Sequence, residues 1–168
     1  MGLSFTFRSI LLGVPVGYIF FNQVGCIVRV EGSSMQPTLN PDLEKIDWVF
    51  LNRWAVRDRS ISRGDIVAFK SPKYPYQKLI KRVIGLSGDV IYTLGYRKEI
   101  LEVPEKQCWV EGDHTGKSLD SNTFGPIPLE IITEKATHIV WPPSRWQSLE
   151  NNIPDNRIPI NYSHAIAA

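Results

Sequence analysis

Cysteine is scarce in this chain: two in 168 residues, Cys26 and Cys108. Neither has a second Cys or a His nearby at metal-ligand spacing, which argues against a zinc site and against a disulfide-dense scaffold. The pairing state of the two thiols is not readable from sequence. Excess charge is lacking too. Nineteen basic residues face 17 acidic ones, a net +2, so no clustered basic face for nucleic acid is expected. Arg53, Arg57, Arg59 and Arg63 lie close together, but Asp58 and Asp65 interrupt them, as in a solvated loop. Histidine is limited to His114, His138 and His164. There is no internal repeat. No cofactor or metal is implied, and the length suits one domain with a real core.

Charge is missing altogether between Arg8 and Arg29, a gap of 20 residues. As a helix this would be about 30 Å long, the thickness of a bilayer core. Its centre, 10–21, is apolar apart from the hydroxyl of Tyr18, and Gly13, Pro15 and Gly17 are tolerated in membrane helices. A cleaved signal peptide is the competing reading, but no Ala-x-Ala site follows. The expected division is therefore a short segment 1–8, a retained transmembrane helix 9–28, a catalytic-sized domain 29–148 and a loosely held polar tail 149–168.

Beyond Arg29, short runs of Val, Ile and aromatics alternate with turn residues. The pattern predicts strands at 27–31, 47–51, 65–69, 78–86, 90–94, 99–103, 108–111 and 138–141. Twelve prolines and 12 glycines fit a many-turned, mainly β body.

Three stretches carry possible chemistry. Ser34 lies in Gly32-Ser33-Ser34-Met35-Gln36-Pro37, where glycine permits close backbone approach and proline stiffens the turn. Taken alone it fits an ordinary loop. Lys81 shares a strand face with Leu79 and Val83, while Arg82 points the other way. Apolar surroundings lower a lysine pKa and free the amine to act as a base. The bland alternative is an edge lysine that snorkels to water. The third stretch, 112–122, is a polar loop in which Ser118 is placed to orient the lysine amine and Asp120 to pair with Arg82. A self-satisfied turn cluster is its alternative. For a Ser-His-Asp triad only His114 beside Asp113 is suitably placed, and it lacks an apolar setting.

In order and composition these stretches resemble the type I signal peptidase family. Ser34 stands at that family's nucleophile and Lys81 in its lysine box, Lys81-Arg82-Val83-Ile84-Gly85-Leu86-Ser87-Gly88-Asp89. Gly112-Asp113 followed by Ser118-Leu119-Asp120-Ser121 matches its later loop. The resemblance covers roughly 25–146. It implies an antiparallel β-sheet forming a partly open barrel with one N-terminal transmembrane helix. It implies a serine endopeptidase with a Ser34–Lys81 dyad, supported by Ser118, Asp120 and Arg82, with Met35 and Ile80 as walls of a pocket for small residues. Finer matches, such as Trp141-Pro142-Pro143-Ser144-Arg145-Trp146, resemble a mitochondrial branch. That branch implies the inner membrane, a domain facing the intermembrane space, a heterodimer with a homologous subunit 1, and precursor polypeptides as substrates.

Two departures stand out. Gly32 occupies a position where bacterial relatives often carry a serine hydroxyl for the oxyanion hole, so a second donor besides the Ser34 N–H is unassigned. Ser87 and Asn122 replace a proline and an arginine. Two other function classes stay open: a non-catalytic membrane-tethered β module serving a partner protease, and a self-cleaving regulator.

Overall fold

The computed structural model describes residues 14–18, 23–42, 44–57, 60–97 and 99–161. The segment 1–8, residues 9–13 and 19–22 of the expected membrane span, Asp58, Arg59 and His164 lie outside the described residues.

Among the described residues ten strands form the body. They are β1 (Gly25–Arg29), β2 (Trp48–Asn52), β3 (Ile66–Lys70), β4 (Lys78–Leu86), β5 (Val90–Tyr92), β6 (Ile100–Glu102), β7 (Gln107–Glu111), β8 (Ile127–Pro128), β9 (Ile132–Trp141) and β10 (Gln147–Ser148). Eight of them make one antiparallel, curled sheet in the order β1-β2-β9-β3-β4-β7-β8, with β10 also on β9. The path does not close between β1 and β8, so the barrel stays open. β5 and β6 form a separate hairpin. Mainly β architecture is as expected from the sequence.

β3 shows why the sheet has two buried faces. Ile66 and Ala68 point into one apolar cluster with Val30, Met35, Leu39 and Val49. Val67 and Phe69 point into another with Leu79, Val83 and Val110. Burial on both faces makes the strand read as a continuous apolar run rather than an alternation. A third cluster gathers Ile84, Ile91, Val103 and Trp109 under the hairpin.

Three expectations are corrected. Gly25–Val28 belong to β1 and pair with β2, so a membrane span cannot extend to residue 28. Residues 14–18 are helical, but among the described residues no helix is long and apolar enough to cross a membrane. The last long strand starts six residues earlier than expected, at Ile132. Its alternation is hidden because one inward position is Glu134, buried by pairing with Lys78 and Arg53. Residues 149–161 are also not loose. The Leu149 amide bonds the Thr137 carbonyl at 2.8 Å, and Ile153 packs against the Trp109 cluster.

Candidate active site

The loop between β1 and β2 carries Ser34, and its shape is set by one asparagine. Asn40, at φ 50°, faces Asp47 in a reciprocal clasp. Its amide donates to Asp47 Oδ2 and its Oδ1 accepts from the Asp47 amide, both at 2.8 Å. Its Nδ2 donates to the Val30 and Gly32 carbonyls at 2.9 and 3.1 Å. Asp47 is held in turn by Arg145, which also donates to the Thr38 carbonyl. Val30, Met35 and Leu39 bury the underside of the loop. Ser34 is thus presented on a pinned turn.

β4 delivers Lys81 to it. Lys81 Nζ and Ser34 Oγ are 2.7 Å apart. The amine also donates to the Ile80 carbonyl at 2.9 Å. Only 2% of Lys81 is exposed. Burial, partly opposed by the charges of Asp120 and Asp113, pulls its pKa from 10.5 down to about 8. A desolvated amine of this kind exists in appreciable part as the neutral base that a serine nucleophile needs.

The third stretch closes the site, in a way the sequence did not reveal. Arg82 pairs with Asp113, not with Asp120: Nε and Nη2 each lie 2.8 Å from one carboxylate oxygen. The reason is register. Arg82 stands opposite Glu111 on β7, so a residue two positions further on falls beside its guanidinium. Asp120 is spent elsewhere. It caps the helical turn Ser121–Phe124 through the Asn122 amide and accepts from the Gly112 amide, both at 3.0 Å. The remaining Arg82 donors reach the Gly64 and Glu150 carbonyls and Thr38 Oγ1.

Ser118 departs from expectation too. Its Oγ is buried without a hydrogen-bond partner among the described residues, so the expected bond to Lys81 is not formed. The Ile80 carbonyl is the group that orients the amine. Ser118 instead packs on Gly112, where a Cβ would stand 2.3 Å from Ser118 Oγ and 2.3 Å from the Ser34 carbonyl oxygen. His114 serves the same junction. Its amide donates to the Ser34 carbonyl and its ring Nδ1 lies against the Ser33 carbonyl, each at 3.1 Å. That ring contact requires a proton on Nδ1, which makes His114 a clamp on the loop backbone. His138 is exposed on β9.

A groove of about 540 Å³ opens beside the Ser34–Lys81 pair. One side is the 28–32 stretch at the sheet edge and the other is 77–80; Met35 and Ile80 both line it.

This geometry can be set beside known proteins. A family profile described as "Signal peptidase, peptidase S26" matches residues 4–96 and 92–141. The chain belongs to the signal peptidase family, peptidase S26. Its relatives in this family include the mitochondrial inner membrane protease subunit 2 of Mus musculus, 51% identical over 154 residues, covering 91% of this chain and 88% of the relative. The subunit 2 protein of Saccharomyces cerevisiae is 48% identical over 137 residues, covering 79% and 77%. Mitochondrial inner membrane protease subunit 1 of Homo sapiens is 38% identical over 146 residues, covering 83% and 86%. In this S26 chain Ser34 and Lys81 lie within hydrogen-bond distance of each other. Asn40, Asp47, Arg145, Asp113 and Glu111 support the site through contacts between distant stretches. Asp113 and Arg145 stand in stretches that the sequence singles out, 112–121 and 141–146, but nothing in either stretch shows what they hold.

Proposed function

We propose that this chain is a membrane-anchored serine endopeptidase that removes sorting peptides from precursor proteins, with Ser34 as nucleophile and Lys81 as general base. The observation that carries the reading is the 2.7 Å approach of Lys81 Nζ to Ser34 Oγ in a setting that excludes water from the amine.

In this mechanism neutral Lys81 takes the Ser34 proton as Oγ attacks the scissile carbonyl. The ammonium then gives that proton to the leaving amine, and an acyl-enzyme remains. Water, deprotonated by Lys81, releases it. The Ser34 N–H is one oxyanion donor. The substrate is read as an extended strand added at the β1 edge, a recognised mode of peptide capture. Met35 and Ile80 then wall the positions beside the cleaved bond and favour small side chains. Arg82 and Asp113 fix the closing loop to β4, and Asp120 supplies part of the field on Lys81.

The relatives named for the mitochondrial inner membrane support placing this chain there. The uncharged N-terminal stretch, ending before β1, is its single anchor, with the β domain in the intermembrane space and membrane lipid around the anchor. A homologous subunit 1 is its proposed partner in a heterodimer, on the evidence of relatives of that name.

The test is processing of imported precursors in cells or membranes carrying Ser34→Ala or Lys81→Met beside the wild-type partner. Uncleaved precursor is expected to accumulate in both, with turnover down by at least about 10³-fold. Wild-type processing by either variant would leave the non-catalytic module as the better reading.

A further inference from the structure

The chain beyond β10 carries none of the residues assigned to chemistry, yet it crosses the strands that do. The Glu150 carbonyl accepts from Arg82 Nη1 at 3.3 Å. At Asn151 the backbone lies so close to Gly64 that a Cβ there would stand 2.3 Å from the Asn151 carbonyl oxygen. Ile153 packs on the Trp109 cluster. Arg157 then closes on Glu111. Its Nε lies 2.6 Å from Oε2, its Nη2 bonds Oε1, and Nη2 also donates to the Tyr92 carbonyl at 2.8 Å. The two side chains are 10% and 5% exposed. Asn161 fastens the end, accepting from the Val90 amide and donating to the Gly88 carbonyl.

Arg82 and Glu111 face each other across the β4–β7 ladder. The segment therefore grips both members of one cross-strand pair, once with a backbone carbonyl and once with a two-pronged ion pair. Behind each grip stands a carboxylate whose charge acts on Lys81. Arg82 holds Asp113 by both oxygens. Glu111 Oε1 accepts from Asn122 Nδ2 at 2.9 Å, and Asn122 donates to Asp120 from its backbone at 3.0 Å and its side chain at 3.3 Å.

We propose that residues 149–161 are a strap that positions Asp113 and Asp120 around the Lys81 amine, with Arg157 as its positioning residue. Arg157 touches neither substrate nor the reacting atoms; it acts through Glu111 and Asn122. Its planar fork matters, because a lysine would keep the charge and lose the paired geometry. Displacements of about 1 Å at Asp120 are enough to change turnover, while the groove that docks substrate is lined mainly by 28–35 and 77–81, with only Lys117 and Leu119 from the Asp120 loop. The catalytic half of this inference rests on the Ser34–Lys81 reading.

The experiment uses the full chain in membranes with its partner subunit, cleaving a precursor peptide, and compares wild type, Arg157→Ala and Arg157→Lys. Arg157→Ala is expected to lower kcat about tenfold or more while KM stays within about twofold. Added guanidinium ion should restore part of the loss. Amide hydrogen exchange should accelerate at Gly112 and Asn122, whose N–H groups bond Asp120, and stay unchanged in β3. Unaltered kcat, or unaltered exchange at those two amides, overturns the strap. If Arg157→Ala does not fold, the same measurements on Arg157→Lys decide. The two readings fail separately. Full activity in Arg157→Ala with a dead Lys81→Met sinks the strap and leaves the dyad. Wild-type cleavage by Lys81→Met sinks the dyad, and the positioning role falls with it.

Discussion

In the proposed mechanism Lys81 sets the working pH of the site. Its pKa is drawn from 10.5 to about 8 by burial, with Asp120 and Asp113 pulling the other way. Near neutral pH only about a tenth of the amine is then the free base. Cleavage, measured as kcat/KM, should rise about tenfold per pH unit up to roughly pH 8 and flatten above it. Asp120→Asn removes one charge that favours the ammonium, so the inflection should move to lower pH. A profile already flat through that range would refute the assignment of Lys81 as base. The same shift has a stability consequence. A lysine whose folded pKa is lowered destabilises the fold below that pKa, by on the order of 3 kcal/mol here. The penalty fades as pH rises from about 8 to 10.5. Lys81→Met is accordingly expected to resist urea better at neutral pH even as it loses activity, a trade found where function holds a charge in an apolar setting.

At the scale of elements, the site is a junction of three loops against β4. Two glycines in it play different parts. Gly32 has φ +85° with open space around its Cβ direction, so Gly32→Ala meets only backbone strain, roughly 1 kcal/mol. Gly112 lies outside the positive-φ region but has no room, since a Cβ would press on the Ser34 carbonyl and on Ser118. A backbone atom cannot yield as a flexible side chain can. Gly112→Ala should therefore push the nucleophile loop off Lys81 and cut kcat about 10²-fold, with the thermal midpoint little changed. Gly32→Ala should lose far less activity. Equal losses in the two variants would show that the junction tolerates a shift.

Over the whole molecule, a nearly neutral net charge hides a set of cross-links. Buried acids are tied to basic side chains from other elements: Asp47 to Arg145, Asp65 to Lys135, Asp89 to Arg63, Asp113 to Arg82, Glu111 to Arg157, and Glu134 to Lys78 and Arg53. Such pairs add little net stability compared with apolar packing, but losing one partner strands a buried charge. Glu134 gives the clearest pH consequence. Burial works to raise its pKa, yet bonds from Thr133 and Lys78, the Lys78 charge and a bond from Arg53 together hold it below its ordinary value. A carboxyl lowered in this way contributes stability above the usual glutamate range, near pH 4.3. The contribution is lost as pH falls through the lower folded value. Glu134→Gln should lower the thermal midpoint at neutral pH and show a shallower further drop on acidification than wild type. A parallel acid limb in both proteins would exclude Glu134 as a source of acid sensitivity.

Composition and local pattern by themselves determined a mainly β body and most of its strand positions, and the resemblance of three ordered stretches to the signal peptidase family singled out Ser34 with Lys81 as a pair to test. These are properties of short stretches: apolar alternation, turn residues, a lysine among aliphatics. Three things needed the tertiary structure. Which acid meets Arg82 depended on the β4–β7 register, which no short stretch contains. The bond expected of Ser118 was displaced by the Ile80 carbonyl, because packing against Gly112 fixes where the Ser118 hydroxyl sits. The polar stretch after residue 148 read as a tail because its few apolar residues show no period. Its hold comes from single long-range contacts, Ile153 on the cluster around Trp109 and Arg157 on Glu111, and contacts between residues far apart in sequence leave no periodic trace in either partner.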